Sequence, residues 1–124
     1  MKTIQTYEQA IENAKKGIQT DGINQTMLWA YRNSREKGSE FLDFDEVIWE
    51  TDIPELIEAC KQEGLEAITI SSNFSGLLET LATFEESGCR LAGLTKVPER
   101  FDSCNYETCE IYRKMKAAAK IEIA

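Results

Sequence analysis

Histidine is absent from this chain. That removes Ser–His and Cys–His nucleophile systems and the usual general base near neutral pH. Any catalysis would rest on carboxylates, lysine, tyrosine, cysteine or a recruited metal, so the reading leans away from an enzyme. Only two prolines and seven glycines occur in 124 residues, which argues against a disordered chain. Long apolar runs are missing too. The longest uncharged stretch, residues 67–78, is interrupted by serines, Asn73 and Gly76, and a membrane-spanning helix needs roughly 20 apolar residues. The opening residues, Met1 to Glu8, lack the apolar core of a signal peptide. These features predict a cytoplasmic protein with no membrane association.

Closely spaced cysteines are also lacking. Cys60, Cys89, Cys104 and Cys109 stand 29, 15 and 5 residues apart, whereas structural zinc sites use close Cys-x2-Cys pairs. Cys60 falls on the apolar stripe of an expected helix and reads as a small core residue. Cys104 and Cys109 lie in a polar stretch and are the two that could pair or react. No cofactor is implied.

The length fits a single domain, residues 1–124. Apolar residues at helical spacing predict a helix from Thr6 to about Gln19 and a second from Asn24 to Lys37, an αα-hairpin broken at Asp21-Gly22. Alternation over Phe41–Asp45, extended by Val47-Ile48-Trp49, predicts a half-exposed first strand. A third helix follows from Ile53 to about Glu63, with Pro54 in its first turn and Gly64 at its end. Ala67-Ile68-Thr69-Ile70 reads as a buried strand. A fourth helix starts at Phe74 or Ser75 and ends at Glu86, and Cys89–Val97 reads as a third strand. After a polar, turn-rich stretch, Ala118–Ala124 reads as a last strand, in competition with a helix from Thr108 to Ala119. The fold class is α/β: an αα-hairpin, then β-α-β-α-β with a mainly parallel sheet, closed by a C-terminal edge strand.

Charge is unevenly spread. The net charge is −8, yet residues 40–66 carry ten acidic groups against Lys61 alone. Clustered lysine and arginine is what binds nucleic acid, so direct nucleic-acid binding is not expected. A basic protein partner is favoured, mimicry of nucleic acid is a sharper form of that idea, and a solvated face that keeps the chain soluble is the plain alternative. The partner-facing candidates are Asp43, Asp45, Glu46, Trp49 and Glu50. Trp29 and Trp49 read as core or boundary residues, unless exposure beside the acidic segment makes them binding anchors.

Two further constellations carry chemistry. Ser71, Ser72, Asn73, Ser75 and Gly76 form a strand-to-helix turn, the place where parallel α/β sheets present free N–H groups to anions. Plain helix capping uses the same residues. Asp43 and Asp45, two residues apart on a strand, would lie roughly 7 Å apart on one face. With Glu46, and with Glu79 as a second acid, they could hold a metal or act in acid–base work. The same alternation is what an exposed strand face shows.

The runs Phe44-Asp45-Glu46-Val47-Ile48-Trp49, Ile70 to Leu81 and Gly88 to Thr95 resemble an uncharacterised family of small acidic proteins from anaerobic Gram-positive bacteria. The likeness runs from Glu40 through Lys96. It weakens at Arg100-Phe101-Asp102-Ser103-Cys104, where members often carry a tryptophan-containing turn. The resemblance implies one compact domain and supplies no activity, cofactor or site.

Overall fold

The computed structural model describes residues 1–123, so Ala124, the end of the expected last strand, lies outside the described residues. Two helices open the chain, α1 (Gln5–Lys15) and α2 (Gln25–Glu36). α1 stops short of Gln19 because Gly17, at φ 74°, turns the backbone out of the helix. Asn24 caps α2, its side-chain oxygen accepting the Met27 N–H at 3.1 Å. Tyr7 meets Tyr31 with ring centroids 5.7 Å apart, and Arg35 donates to Glu8. The start of α1 therefore lies beside the end of α2, as an antiparallel hairpin requires.

Next come β1 (Leu42–Phe44), a 3-10 turn (Glu50–Asp52), α3 (Ile53–Gln62), β2 (Ala67–Ile70), α4 (Leu77–Glu86) and β3 (Arg90–Pro98). β4 (Ser103–Asn105) and β5 (Glu110–Tyr112) form a separate hairpin within the stretch expected to be irregular, and β6 (Met115–Glu122) ends the fold.

The four-stranded sheet has the order β1-β2-β6-β3. β1 and β2 pair in parallel, while β6 is antiparallel to both β2 and β3. The three strands of the β-α-β-α-β run thus point the same way, as the alternating pattern predicts. The sheet is nevertheless mixed, not mainly parallel, because β6 inserts between β2 and β3.

β6 is therefore a central strand, and the expected edge position is corrected. Its alternation of Lys120, Ile121, Glu122 and Ile123 suggests an edge, but Ala118, Ala119 and Ile121 are buried. The alanines favour helix intrinsically, and ladder pairing, with β3 at Ala118 and with both β2 and β3 at Ala119, overrides that preference. β3 takes the edge instead. Its register slips between Leu91 and Leu94, where Gly93 sits at φ 96°, the geometry of a bulge.

The parallel register sets Leu42 beside Ile68, Asp43 beside Thr69 and Phe44 beside Ile70. Side chains alternate across a sheet. Leu42, Phe44, Ile68, Ile70 and Ile121 accordingly join a core with Met27, Tyr31, Leu56, Cys60 and Phe84 of the helices. Asp43 and Thr69 point to the opposite face.

Removing the Phe84 ring should cost about 3–5 kcal/mol, and Ile121→Ala about 2–5 kcal/mol. Urea denaturation of the two variants checks this. A loss well under 1 kcal/mol at Ile121 would mean that β6 is not the central strand.

Candidate functional site: a buried ion pair and an aromatic loop

β1 is three residues long, and its middle residue carries the charge at the heart of the site. The Asp43 side chain is fully buried and so is that of Lys37, one residue past α2; their charged atoms are 2.6 Å apart. Thr69 donates its hydroxyl to Asp43 Oδ1 at 2.7 Å, and Ser71 donates to Oδ2 at 2.5 Å. The backbone is tied as well. Asp43 N–H donates to Ser34 Oγ at 2.8 Å, and Ser34 Oγ donates back to the Asp43 carbonyl at 3.2 Å. A buried carboxylate needs this many partners, since an unpaired one would cost several kcal/mol. The expectation that Asp43 and Asp45 share an exposed strand face is corrected: Asp43 lies inside.

The network continues outward along the chain. Lys37 also reaches Asp45 Oδ2 at 3.3 Å. Arg100, from the segment after β3, donates to Asp45 Oδ1 at 2.7 Å and to Glu46 Oε1 at 2.9 Å. The cation shared by Asp43 and Asp45 is therefore the lysine ammonium. Among the described residues no group of three or more acidic, cysteine or histidine side chains could hold a metal ion. Glu79, the second acid considered for such a site, lies exposed in the first turn of α4.

Because Asp45 and Glu46 are pinned, the chain cannot extend β1. The Phe44 carbonyl accepts from both Ser71 N–H, at 3.0 Å, and Ser72 N–H, at 3.3 Å. Residues 45–51 leave as a loop, with Ile48 buried beneath it and Val47 and Trp49 turned outward. Trp49 is 69 % exposed and Trp29, on α2, is 53 % exposed. On one side of the loop lies a groove of 170 Å³ bordered by Trp29, Asn33, Asp45, Val47 and Trp49. On the other lies a cleft of 540 Å³ bordered by Trp49, Glu50, Phe74, Ser75, Gly76 and Thr80. The Phe74 ring lies next to Gly76, where a Cβ would meet it at 3.4 Å, an ordinary contact distance.

The candidate residues of the serine turn thus divide. Ser71 is engaged by Asp43. Ser72 is buried, and its hydroxyl has no partner among the described residues. Asn73 is exposed, and Ser75 and Gly76 line the cleft beside Trp49. No side chain caps α4. Of the partner-facing set, Asp43 is inside and Asp45 is paired and nearly enclosed, while Glu46, though paired with Arg100, stays on the surface with Trp49 and Glu50. Lys37, Arg100 and Phe74 belong to the site without being singled out in the sequence. No local signal marks Lys37 or Arg100, since each joins the site through a contact made by the fold. The cysteine thiols are all free: Cys104 and Cys109 are exposed, and the hairpin register sets Cys104 opposite Ile111. Burial, with a smaller effect from Cys89, pushes the Cys60 thiol up to about 12.

A family model described as a domain of unknown function, DUF7698, matches residues 26–121. The chain belongs to this family. The matched span takes in the buried pair, the aromatic loop and nearly all of α2 and β6, and leaves α1 outside. No curated protein and no solved structure matches the chain.

Lys37→Met should cost about 3–5 kcal/mol, because it strands a buried carboxylate. Adding Asp43→Asn should recover much of that loss in a double-mutant cycle measured by urea denaturation. Additive losses would contradict the pairing.

Asp45 supplies a pH test. Burial works to raise its carboxyl, but hydrogen bonding from Arg100, the Lys37 and Arg100 charges and the Lys37 hydrogen bond together hold it below 3.8. A carboxyl lowered by folding contributes stability that is complete above its unfolded value and is lost as pH falls through the folded one. Arg100→Gln should therefore flatten the loss of stability on acidification below about pH 4, as measured by thermal melting. An unchanged acid limb would rule out this role for Arg100.

Proposed function

We propose that this chain is a non-enzymatic interaction domain that binds a basic protein segment through residues 45–51 and the two hollows beside them. The observation that carries the reading is the exposure of both tryptophans on one groove. Tryptophan is largely buried in most proteins and is enriched among the residues that dominate binding energy. Here Trp29, Val47 and Trp49, all exposed, border a single hollow. Holding such rings in water gains nothing for folding, whereas covering them on association is favourable.

Charge favours a basic partner. Glu50 makes no ion pair among the described residues, and Glu46 is 63 % exposed despite its contact with Arg100. Glu55 and Glu58 lie exposed on α3, which follows the loop directly. The acidic surface is narrower than the composition of residues 40–66 suggests, since Asp43 is hidden and Asp45 is nearly so. Aromatic anchors with an acidic rim remain, the arrangement of a hot spot and its surround. The cytoplasmic location and the small acidic bacterial family of the resemblance belong to the same proposal, which assigns no cofactor.

Selection from a random peptide display library tests the proposal. The expected result is enrichment of peptides carrying arginine or lysine beside an apolar residue. Their binding should weaken at least tenfold in the Trp29→Ala, Trp49→Ala double variant and fall with added salt. Selected peptides indifferent to both substitutions would overturn it.

A further inference from the structure

The larger cleft points to a particular group on the partner. We infer that the space between Trp49, Phe74 and Glu50 takes an arginine side chain of the bound segment; this rests on the interaction reading above. Two of its walls are aromatic, and Thr80, which is buried, closes part of it. A guanidinium is planar, weakly hydrated and stacks on aromatic faces, where the ring quadrupole attracts a cation.

The charge at the rim selects the same group. Glu50 lies in the lining, and no lysine or arginine of the chain lines the cleft with it. Arg100 is occupied with Asp45 and Glu46, and Lys37 is enclosed with Asp43. Glu50 is thus a carboxylate beside an exposed indole, with no cation of its own among the described residues. The chain makes the complementary contact elsewhere: Arg32 lies over the Trp29 ring at 5.2 Å. Trp49 has the ring and a neighbouring carboxylate, and its cation is left for a partner to supply.

The anion reading of the serine turn fits this cleft less well. The first turn of α4 already carries Glu79, which complements the positive end of the helix dipole. A carboxylate or phosphate entering here would face Glu50 as well.

The test uses Trp29→Phe protein, so that Trp49 is the single tryptophan, and follows its indole N–H resonance by NMR. An arginine tripeptide blocked at both ends, Ac-Gly-Arg-Gly-NH2, is titrated against the matched citrulline peptide, which is planar but uncharged, and against inorganic phosphate. The expected result is a saturable shift with arginine, at least fivefold weaker binding of citrulline, and no saturable response to phosphate. Glu50→Gln should weaken the arginine response at least fivefold while leaving the melting temperature unchanged. Equal responses to arginine and citrulline, saturation by phosphate, or indifference to Glu50→Gln would each overturn the inference. Display-selected peptides that need Trp29 but bind equally well to Glu50→Gln would overturn this inference while the interaction reading stands. Failure to select any peptide dependent on the tryptophans would remove both.

Discussion

The Lys37–Asp43 ion pair is the contact around which this fold is arranged. It brings together the end of α2, the middle of β1 and, through Thr69 and Ser71, the adjoining strand β2. Neither charge reaches water, so neither partner can be withdrawn without leaving the other stranded. Apolar packing already opposes a one-residue slip of β1 along β2, which would turn Leu42 and Phe44 out of the core. A carboxylate with a lysine and two hydroxyls aimed at it allows one register only, and that register sets Leu42 and Phe44 into the core.

The loop after β1 inherits this constraint. Lys37 extends to Asp45, and Arg100 joins Asp45 to Glu46, so the first residues after β1 are held by charge and do not continue the ladder. Ile48 anchors the loop by burial, and the residues on either side of it, Val47 and Trp49, are turned into water. The same network that shortens the strand thereby presents the aromatic surface. Structure and candidate function meet in a few residues: charges inside, indoles outside, and a single loop between them.

The sequence reveals some of this and hides the rest for physical reasons. α3 and β2 are legible because Pro54 and Gly64 mark a helix with a clean apolar stripe, and Ala67–Ile70 is short, β-branched and uncharged. The common direction of β1, β2 and β3 also follows from the alternation of elements. The position of β6 does not. Ala117, Ala118 and Ala119 read as helix formers, and only ladder partners far away in the chain, in β3 for all three and in β2 for Ala119 as well, make them part of a central strand. Asp43 shows the same limit. Leu42-Asp43-Phe44 alternates identically whether the far face of the strand meets water or a lysine. The lysine that decides the matter belongs to another element, and Arg100 arrives from 55 residues beyond Asp45. Trp29 and Trp49 read as core or boundary residues in the sequence, with exposure beside the acidic segment as the one condition that favours a partner-facing role. Both tryptophans meet that condition in the fold.

Amide hydrogen exchange is the most direct test of the central claim that the buried pair organises β1 and the loop behind it. The Asp43 N–H bonds to Ser34, and the Ser71 and Ser72 N–H groups bond to Phe44. In the native protein the Asp43 and Ser71 amides should exchange as slowly as those of the β3–β6 ladder. In Lys37→Met, exchange at Asp43, Ser71 and Ser72 should accelerate by at least tenfold more than exchange in that ladder. An equal acceleration everywhere would show that the pair adds only to global stability, and would contradict its role in holding the loop.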